Sequence, residues 1–393
     1  MILGLIGFLV NGDNYAASPV LINLANDLNV SIDTAALTAT FYMLTFGLFT
    51  ILMGPLGDRY GKPLIVFIAA LGTSFFSVLC VFSTNIQTLI ILRAVNGGFA
   101  SGILPVSVAL IGEISPQQEK QNSIARIMSM MFLGGAVATT IGGALAYFGS
   151  WKLVYLVYGV AELVLAIVSY RYLKNIDSTK RMSNILQLYK SALSNKSLLR
   201  ILILMFLMGF CVLGSFVYTG KLVESKTGLN VFLIGILLGA FGLGTVVAGR
   251  KVGNIRSQLG LPFFIISGLL GFVSLITLVG FSSILTITIT LFAFGSVFIS
   301  LHSSFVTTAQ SLLPDLRGTV MALASFSVVV GGSIGTFING KILTLIGING
   351  VYYFSAILLI LASLLAYIFF KQISLLNLKP AKVHHINNQT RKP

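Results

Sequence analysis

The chain is a succession of apolar runs, each about the 20 residues that a helix needs to cross lipid, parted by short polar breaks. Twelve candidate spans can be drawn, at 2–24, 36–56, 63–83, 86–111, 125–148, 152–173, 199–220, 231–250, 260–280, 282–303, 317–338 and 349–370. Backbone groups in lipid must be satisfied within the segment, so each run reads as a helix and the fold class is an all-α membrane protein. Charged residues make up 9% of the 393, against about 25% in soluble domains. That is too little charge to coat a water-facing surface. Forty glycines suit helices whose backbones approach closely in a bilayer. The weakest division falls at 280–282, where Gly280, Ser282 and Ser283 are the only turn signal.

Charge placement tests the count. Alternate breaks, with the tail, hold 20 of the 25 Lys and Arg on one side; only Lys152, Lys221, Lys226 and Lys341 fall on the other, and Arg93 lies within a span. A wrong number of spans would scramble this bias. Basic loops stay in the cytoplasm, so both termini are expected there, in a bacterial cytoplasmic (inner) membrane. The net charge of +15 is spread through loops with no single basic face, which argues against a nucleic-acid partner. Lipid, protons and a small-molecule substrate are the expected partners of a monomer. No Lys or Arg precedes Arg59, so the first run is expected to be a retained helix and not a cleaved signal. Cys80 and Cys211 lie inside apolar runs and read as small buried hydrophobes. No nucleophile–base or metal-ligand spacing appears; neither an enzyme, a cofactor nor a metal is expected.

The longest polar connection, about 174–198, falls at mid-chain. It divides the chain into an N-terminal bundle (1–173), a cytoplasmic linker (174–198), a C-terminal bundle (199–370) and a basic tail (371–393). The halves echo each other: Gly134-Gly135 returns as Gly331-Gly332 and Gly143 as Gly340, both 197 residues on, and Pro116 as Pro314. One offset recurring near half the length marks a duplication, and parallel repeats with a midplane site between them are a transporter architecture.

The break between spans 2 and 3 reads Gly54-Pro55-Leu56-Gly57-Asp58-Arg59-Tyr60-Gly61-Lys62-Pro63. Its G-x-L-x-D-R-x-G-K pattern resembles the signature loop between helices 2 and 3 of the major facilitator superfamily of secondary transporters. The resemblance extends over almost the whole chain and implies two six-helix, pseudo-symmetric bundles. It also implies a conformational latch formed by Gly54, Asp58, Arg59, Gly61 and Lys62, with Asp58 near a helix N-terminus and the cations on acids or headgroups. In the second half Gly253 stands where the acid would be, so the latch is expected to be asymmetric.

Span 4 carries Leu89-x-x-x-Arg93-x-x-Asn96-Gly97-x-Phe99-Ala100-Ser101, and span 1 carries Gly12-Asp13-Asn14-Tyr15 ahead of Pro19. A charge at the bilayer centre costs about 2.5–3.5 kcal/mol, so each needs a partner and a purpose. Both segments are similar to motifs of the drug/H⁺ antiporter branch, with Asn96 where that branch often has Gln. The antiporter signature of helix 5 is matched only by its outer glycines; Ala138-Thr139 stands where that branch has Gly-Pro. The resemblance implies proton coupling through Asp13 and Arg93, and Glu162 in span 6 joins them as a third intramembrane charge. Asn14, Tyr15, Tyr42, Asn96, Met128, Phe216, Tyr218 and His302 are the candidate substrate contacts. The expected function is proton-coupled export of a small organic molecule by alternating access. The alternatives are export of a polar metabolite or metal chelator, and proton symport of a sugar or nucleoside. One Trp and few intramembrane charges weigh against sugar symport. Lys221 and Glu224 read as an interfacial pair.

Overall fold

The computed structural model describes residues 1–116, 119–176 and 185–377. Among these are α1 (Ile2–Asp27), α2 (Ile32–Tyr60), α3 (Lys62–Cys80), α4 (Ile86–Ala100), α5 (Ile103–Ile114), α6 (Lys120–Phe148), α7 (Trp151–Leu173), α8 (Ile185–Ser194) and α9 (Lys196–Phe216). They are followed by α10 (Thr219–Thr227), α11 (Val231–Gly249), α12 (Val252–Leu259), α13 (Pro262–Gly280), α14 (Ile284–Leu312), α15 (Arg317–Ile346) and α16 (Ile348–Asn377). The pair α4–α5 makes one crossing with a break at Ser101–Gly102, and α10 extends α9. Of the tail, Lys379, Lys382, Arg391 and Lys392 lie outside the described residues, as do Lys180 and Arg181 of the linker.

Eleven crossings are long and apolar enough to span a membrane. The twelfth, α1, is 26 residues long but has the polar Asn11-Gly12-Asp13-Asn14 at its centre. It can sit in a bilayer because it packs among α2, α6, α7 and α11, which shield that polar stretch. Large apolar side chains point outward around the bundle: Phe75 is 57% exposed and Ile289 58%. Such a rim suits lipid, where exposure of Leu or Phe carries no hydrophobic penalty.

The duplication is visible in which helices touch. Within the N-terminal half the principal pairs are α1–α6, α2–α4 and α3–α7; within the C-terminal half they are α9–α15, α11–α14 and α13–α16, the same pairs one repeat later. Between halves α2 packs on α15 and α6 on α11, the exchange that a two-fold axis between repeats requires. The crossing points repeat residue by residue. A Cβ on Gly134 would land on the Phe8 carbonyl, and one on Gly331 would land on the Phe206 carbonyl. Gly97 meets the Tyr42 carbonyl in the same way, and Gly295 that of Phe241. Only glycine permits backbones to cross this closely.

The two halves are sealed at one end. Ser18 Oγ donates to the Phe216 carbonyl at 2.9 Å, and Ser333 Oγ to the Thr40 carbonyl at 2.9 Å. Gly143 faces Val231 and Gly235 so closely that a Cβ would lie 2.6 Å from the Val231 oxygen. Toward the other end, which carries the Arg- and Lys-rich loops, the halves diverge around a cavity of about 560 Å³.

Candidate functional site

Asp13 and Arg93 meet across the α1–α4 gap. Arg93 Nη1 donates to Asp13 Oδ2 at 2.5 Å, with the side chains 0% and 1% exposed. The guanidinium also lies 4.2 Å from the centroid of the Tyr42 ring and 5.1 Å from that of Tyr155. Two aromatic faces and one carboxylate thus replace its water. The local sequence explains the meeting. Gly97 lets α4 lie against α2 beside Tyr42, and a Cβ on Gly12 would lie 2.7 Å from the Tyr158 ring, so α7 closes on α1 only because that residue is glycine. Polar capacity is left over: Asp13 Oδ1, Arg93 Nε and Nη2, and the hydroxyls of Tyr42, Tyr155 and Tyr158 have no hydrogen-bond partner.

Glu162 joins this cluster from α7. It is 1% exposed, and neither carboxylate oxygen has a partner. It is close enough to Asp13 and Arg93 to feel both charges, and it lies beside Thr73. The Thr73 hydroxyl donates a hydrogen bond to Asn96 Oδ1 at 3.2 Å, while Asn96 Nδ2 donates to the Thr73 carbonyl at 2.9 Å. One guanidinium and two carboxylates balance in charge only when the group also holds one proton. An uncompensated buried charge costs several kcal/mol.

Beside the cluster lies the cavity. Its deep part, about 140 Å³, is lined by Asn11, Asn14, Tyr15, Tyr42, Phe46, Met128, Met131, Phe132, His302 and Ser325, among others. Met128, Phe132, His302 and Met321 also line the wider part, which reaches Arg250 at the end of α11. Tyr42 has one face toward this space and Arg93 against its ring, so it is the partition between cavity and ion pair. Phe216 closes the sealed end, with its ring 5.7 Å from Tyr15 and 4.4 Å from Phe241. Asn11 Nδ2 donates to the Met131 carbonyl at 2.8 Å, which ties α1 to α6 at the cavity wall.

The loop after α2 is organised by Lys62. Its ammonium lies 2.8 Å from Asp58 and 2.7 Å from Glu113 of α5, and the side chain is 5% exposed. Gly61, at φ 102°, makes the sharp turn between α2 and α3, where any other residue would be strained. Asp58 is held by Lys62 in this conformation. Arg59 lies over the ring of Tyr60 at 5.3 Å, and a Cβ on Gly54 would meet nothing within 4 Å.

Of the candidate substrate contacts, the structure places Asn14, Tyr15, Tyr42, Met128 and His302 on the cavity and Phe216 at its sealed end. Two candidates face elsewhere. Asn96 turns to α3 and is consumed by Thr73. Tyr218 donates to the Thr336 carbonyl at 2.8 Å, 1% exposed, and ties the α9–α10 joint to α15. Lys221 and Glu224 pair at 2.7 Å. Sequence reasoning passed over Tyr155 and Tyr158, although their spacing of seven and four residues before Glu162 puts all three on one face of α7. It also passed over Ser325 and Glu113, for which no local pattern gives a signal.

Comparison with known proteins agrees with this geometry. The profile of the Major Facilitator Superfamily matches residues 3–336. An uncharacterized MFS-type transporter of Bacillus subtilis (strain 168), YceJ, is 24% identical over 340 residues, 85% of this chain and 86% of that protein. Two solved structures share the fold. A bacterial homolog of the human lysosomal transporter Spinster, in an inward-facing and unoccupied conformation, superposes with a TM-score of 0.75 over 94% of this chain and 96% of its own, at 14% identity. The nucleoside transporter NupG gives a TM-score of 0.76 over 94% and 99%, also at 14% identity.

Proposed function

This chain belongs to the Major Facilitator Superfamily, a multi-pass membrane transporter, and from that premise we propose that it exports a small organic molecule in exchange for protons. The observation that carries the reading is the buried Asp13–Arg93 pair with Glu162 beside it, one tyrosine ring away from the central cavity. In this reading the end bearing the basic loops is the cytoplasmic one, with both termini on it, in a bacterial cytoplasmic membrane. The conformation described is then open inward. Cargo enters beside Arg250 and Met128 and reaches Asn14 and His302. The halves rock about the α2–α15 and α6–α11 contacts, opening the seal at Ser18 and Ser333. A proton arriving from outside neutralises Asp13; Arg93 then turns its unused Nε and Nη2 to Glu162, and Tyr42, which rests on the guanidinium, shifts with it. That displaces cargo outward as the proton is bound. The proton leaves to the cytoplasm when the inward state re-forms the Asp13–Arg93 pair. Each charge that moves down about 100 mV supplies roughly 2.3 kcal/mol, enough for a cargo gradient of about fifty-fold. The placing in the drug/H⁺ antiporter branch rests on the motifs around Asp13 and Arg93.

The test uses everted membrane vesicles and the compounds that accumulate in cells lacking the protein. Uptake is expected to require an imposed proton gradient and to stop with a protonophore. Uptake that continues unchanged after the gradient is collapsed would overturn proton coupling. Uptake seen only in right-side-out vesicles would replace export with symport.

A further inference from the structure

We infer that the central chamber takes an uncharged, amphipathic molecule with a hydrogen-bonding head, and that it rejects organic cations. The inference rests on the transport reading above and names the cargo class of that site. Four polar side chains on the chamber make no hydrogen bond among the described residues: Asn14 and Tyr15 of α1, His302 of α14 and Ser325 of α15. Two come from each half, so a molecule held by all four is held by both bundles at once. In its neutral form the His302 ring offers one donor and one acceptor, and the Asn14 amide offers both. That is the complement of an amide, a lactam or a polar heterocycle. The rest of the chamber is soft and apolar. Met128, Met131 and Met321 are unbranched and adapt to irregular shapes.

The charge argument is sharper. Among the described residues no Asp or Glu lines either part of the cavity; the fixed charge there is Arg250, at the mouth. An ammonium entering the chamber would lose its water and find no carboxylate, because Asp13 lies behind the wall, 1% exposed and bound to Arg93. Aromatic rings can hold a cation, but the Tyr42 ring already has the Arg93 guanidinium 4.2 Å from its centroid, and the other rings on the chamber, among them Tyr15, Phe46 and Phe132, return to a desolvated ammonium less than a carboxylate would. A carboxylate would meet Arg250 only at the entrance. Next to the four free polar groups, an uncharged head alone is both desolvated cheaply and fully paired.

Equilibrium dialysis of the intact, purified protein with three fluorescent probes of one shape tests this: anthracene-9-carboxamide, anthracene-9-carboxylate and 9-(aminomethyl)anthracene at neutral pH. Subtracting the signal of protein-free micelles at the same detergent concentration removes partition into detergent. The carboxamide is expected to bind at least about tenfold tighter than either ionised probe, and to lose about tenfold in Asn14→Leu and in His302→Leu, the loss that follows from a buried hydrogen bond left unmade. Equal or tighter binding of the ammonium or of the carboxylate overturns the proposal, and so does carboxamide binding that neither substitution changes. Should Asn14→Leu fail to fold, Ser325→Ala and His302→Gln give the same comparison. No gradient is imposed. A failure of proton coupling in vesicles would leave this order of affinities intact, and a wrong order here would leave proton coupling standing.

Discussion

Replacing Asp13 by Asn takes away the carboxylate bound to Arg93 and leaves Glu162 as the remaining acid of the cluster. Removing one partner of a buried pair costs about 3–5 kcal/mol and Glu162 offsets part of it, so Asp13→Asn should lower stability by less than that full amount in thermal or SDS-driven unfolding. Adding Arg93→Met to it should restore most of the loss, because the second change removes the guanidinium left behind. Glu162 is the opposite case. Among the described residues it makes no ion pair, so Glu162→Gln, which removes a buried carboxylate and keeps its shape, should fold at least as stably as the parent. If it shares a proton with Asp13, the same variant should flatten the pH profile of transport; a profile identical to the parent's would reduce Glu162 to packing. These residues were legible in the sequence as intramembrane charges, since a charge in lipid demands an explanation. Their partners were not. No spacing rule links position 13 to position 93, and the choice of Tyr42 over any other aromatic as the partition is made by the α2–α4 crossing.

At the level of helices, close crossing and charge placement follow different logics. Gly97 and Gly295 occupy equivalent crossings in the two halves, each under the carbonyl of an opposing aromatic residue. Alanine at either should push a helix pair apart and cost about 1–3 kcal/mol, as overpacking does; equal losses of melting temperature in the two variants would show the equivalence. The loops after the second helix of each half are not equivalent. In the first, buried Lys62 is neutralised by Asp58 and Glu113. In the second, Arg256 of α12 donates to the Ser304 carbonyl and the Thr308 hydroxyl, each at 2.8 Å, and lies beside the stacked rings of Phe264 and Phe370. Burial without a carboxylate holds that guanidinium below its usual range. Asp58→Asn or Glu113→Gln alone should cost about 1 kcal/mol or less, since each acid is partly exposed and the other remains. Both together should cost more than the sum, because the buried Lys62 then loses both carboxylates. Additive losses in a double-mutant cycle would refute a shared site. The repeat offset announced the duplication, and Gly253 announced the missing acid, but the substitute anchor at Arg256 is a matter of tertiary contact.

For the whole molecule, the question is which end opens. Cysteines at Thr40 and Ser333, introduced with Cys80 and Cys211 replaced by Ala and joined by a short bis-methanethiosulfonate, should lock the sealed end and stop transport, with recovery on reduction. Undiminished transport while cross-linked would show that this seal need not open.

The sequence alone determined the material of this protein and its division. Apolar runs of bilayer length dictate helices in lipid, alternating basic loops dictate their count, and an offset near half the length dictates two alike bundles. The 54–63 loop is legible only in part: Asp58 and Lys62 lie one turn apart, but Glu113 reaches Lys62 from α5. Tertiary structure decided everything that depends on which helix faces lie opposite. It set Arg93 on Asp13, turned Asn96 toward α3, assigned Tyr218 to the α15 contact, and gathered Asn14, Tyr15, His302 and Ser325 around one chamber. In an apolar helix with residues of one kind on all sides, periodicity carries little information about facing, so only the packing of neighbours fixes which side becomes the site.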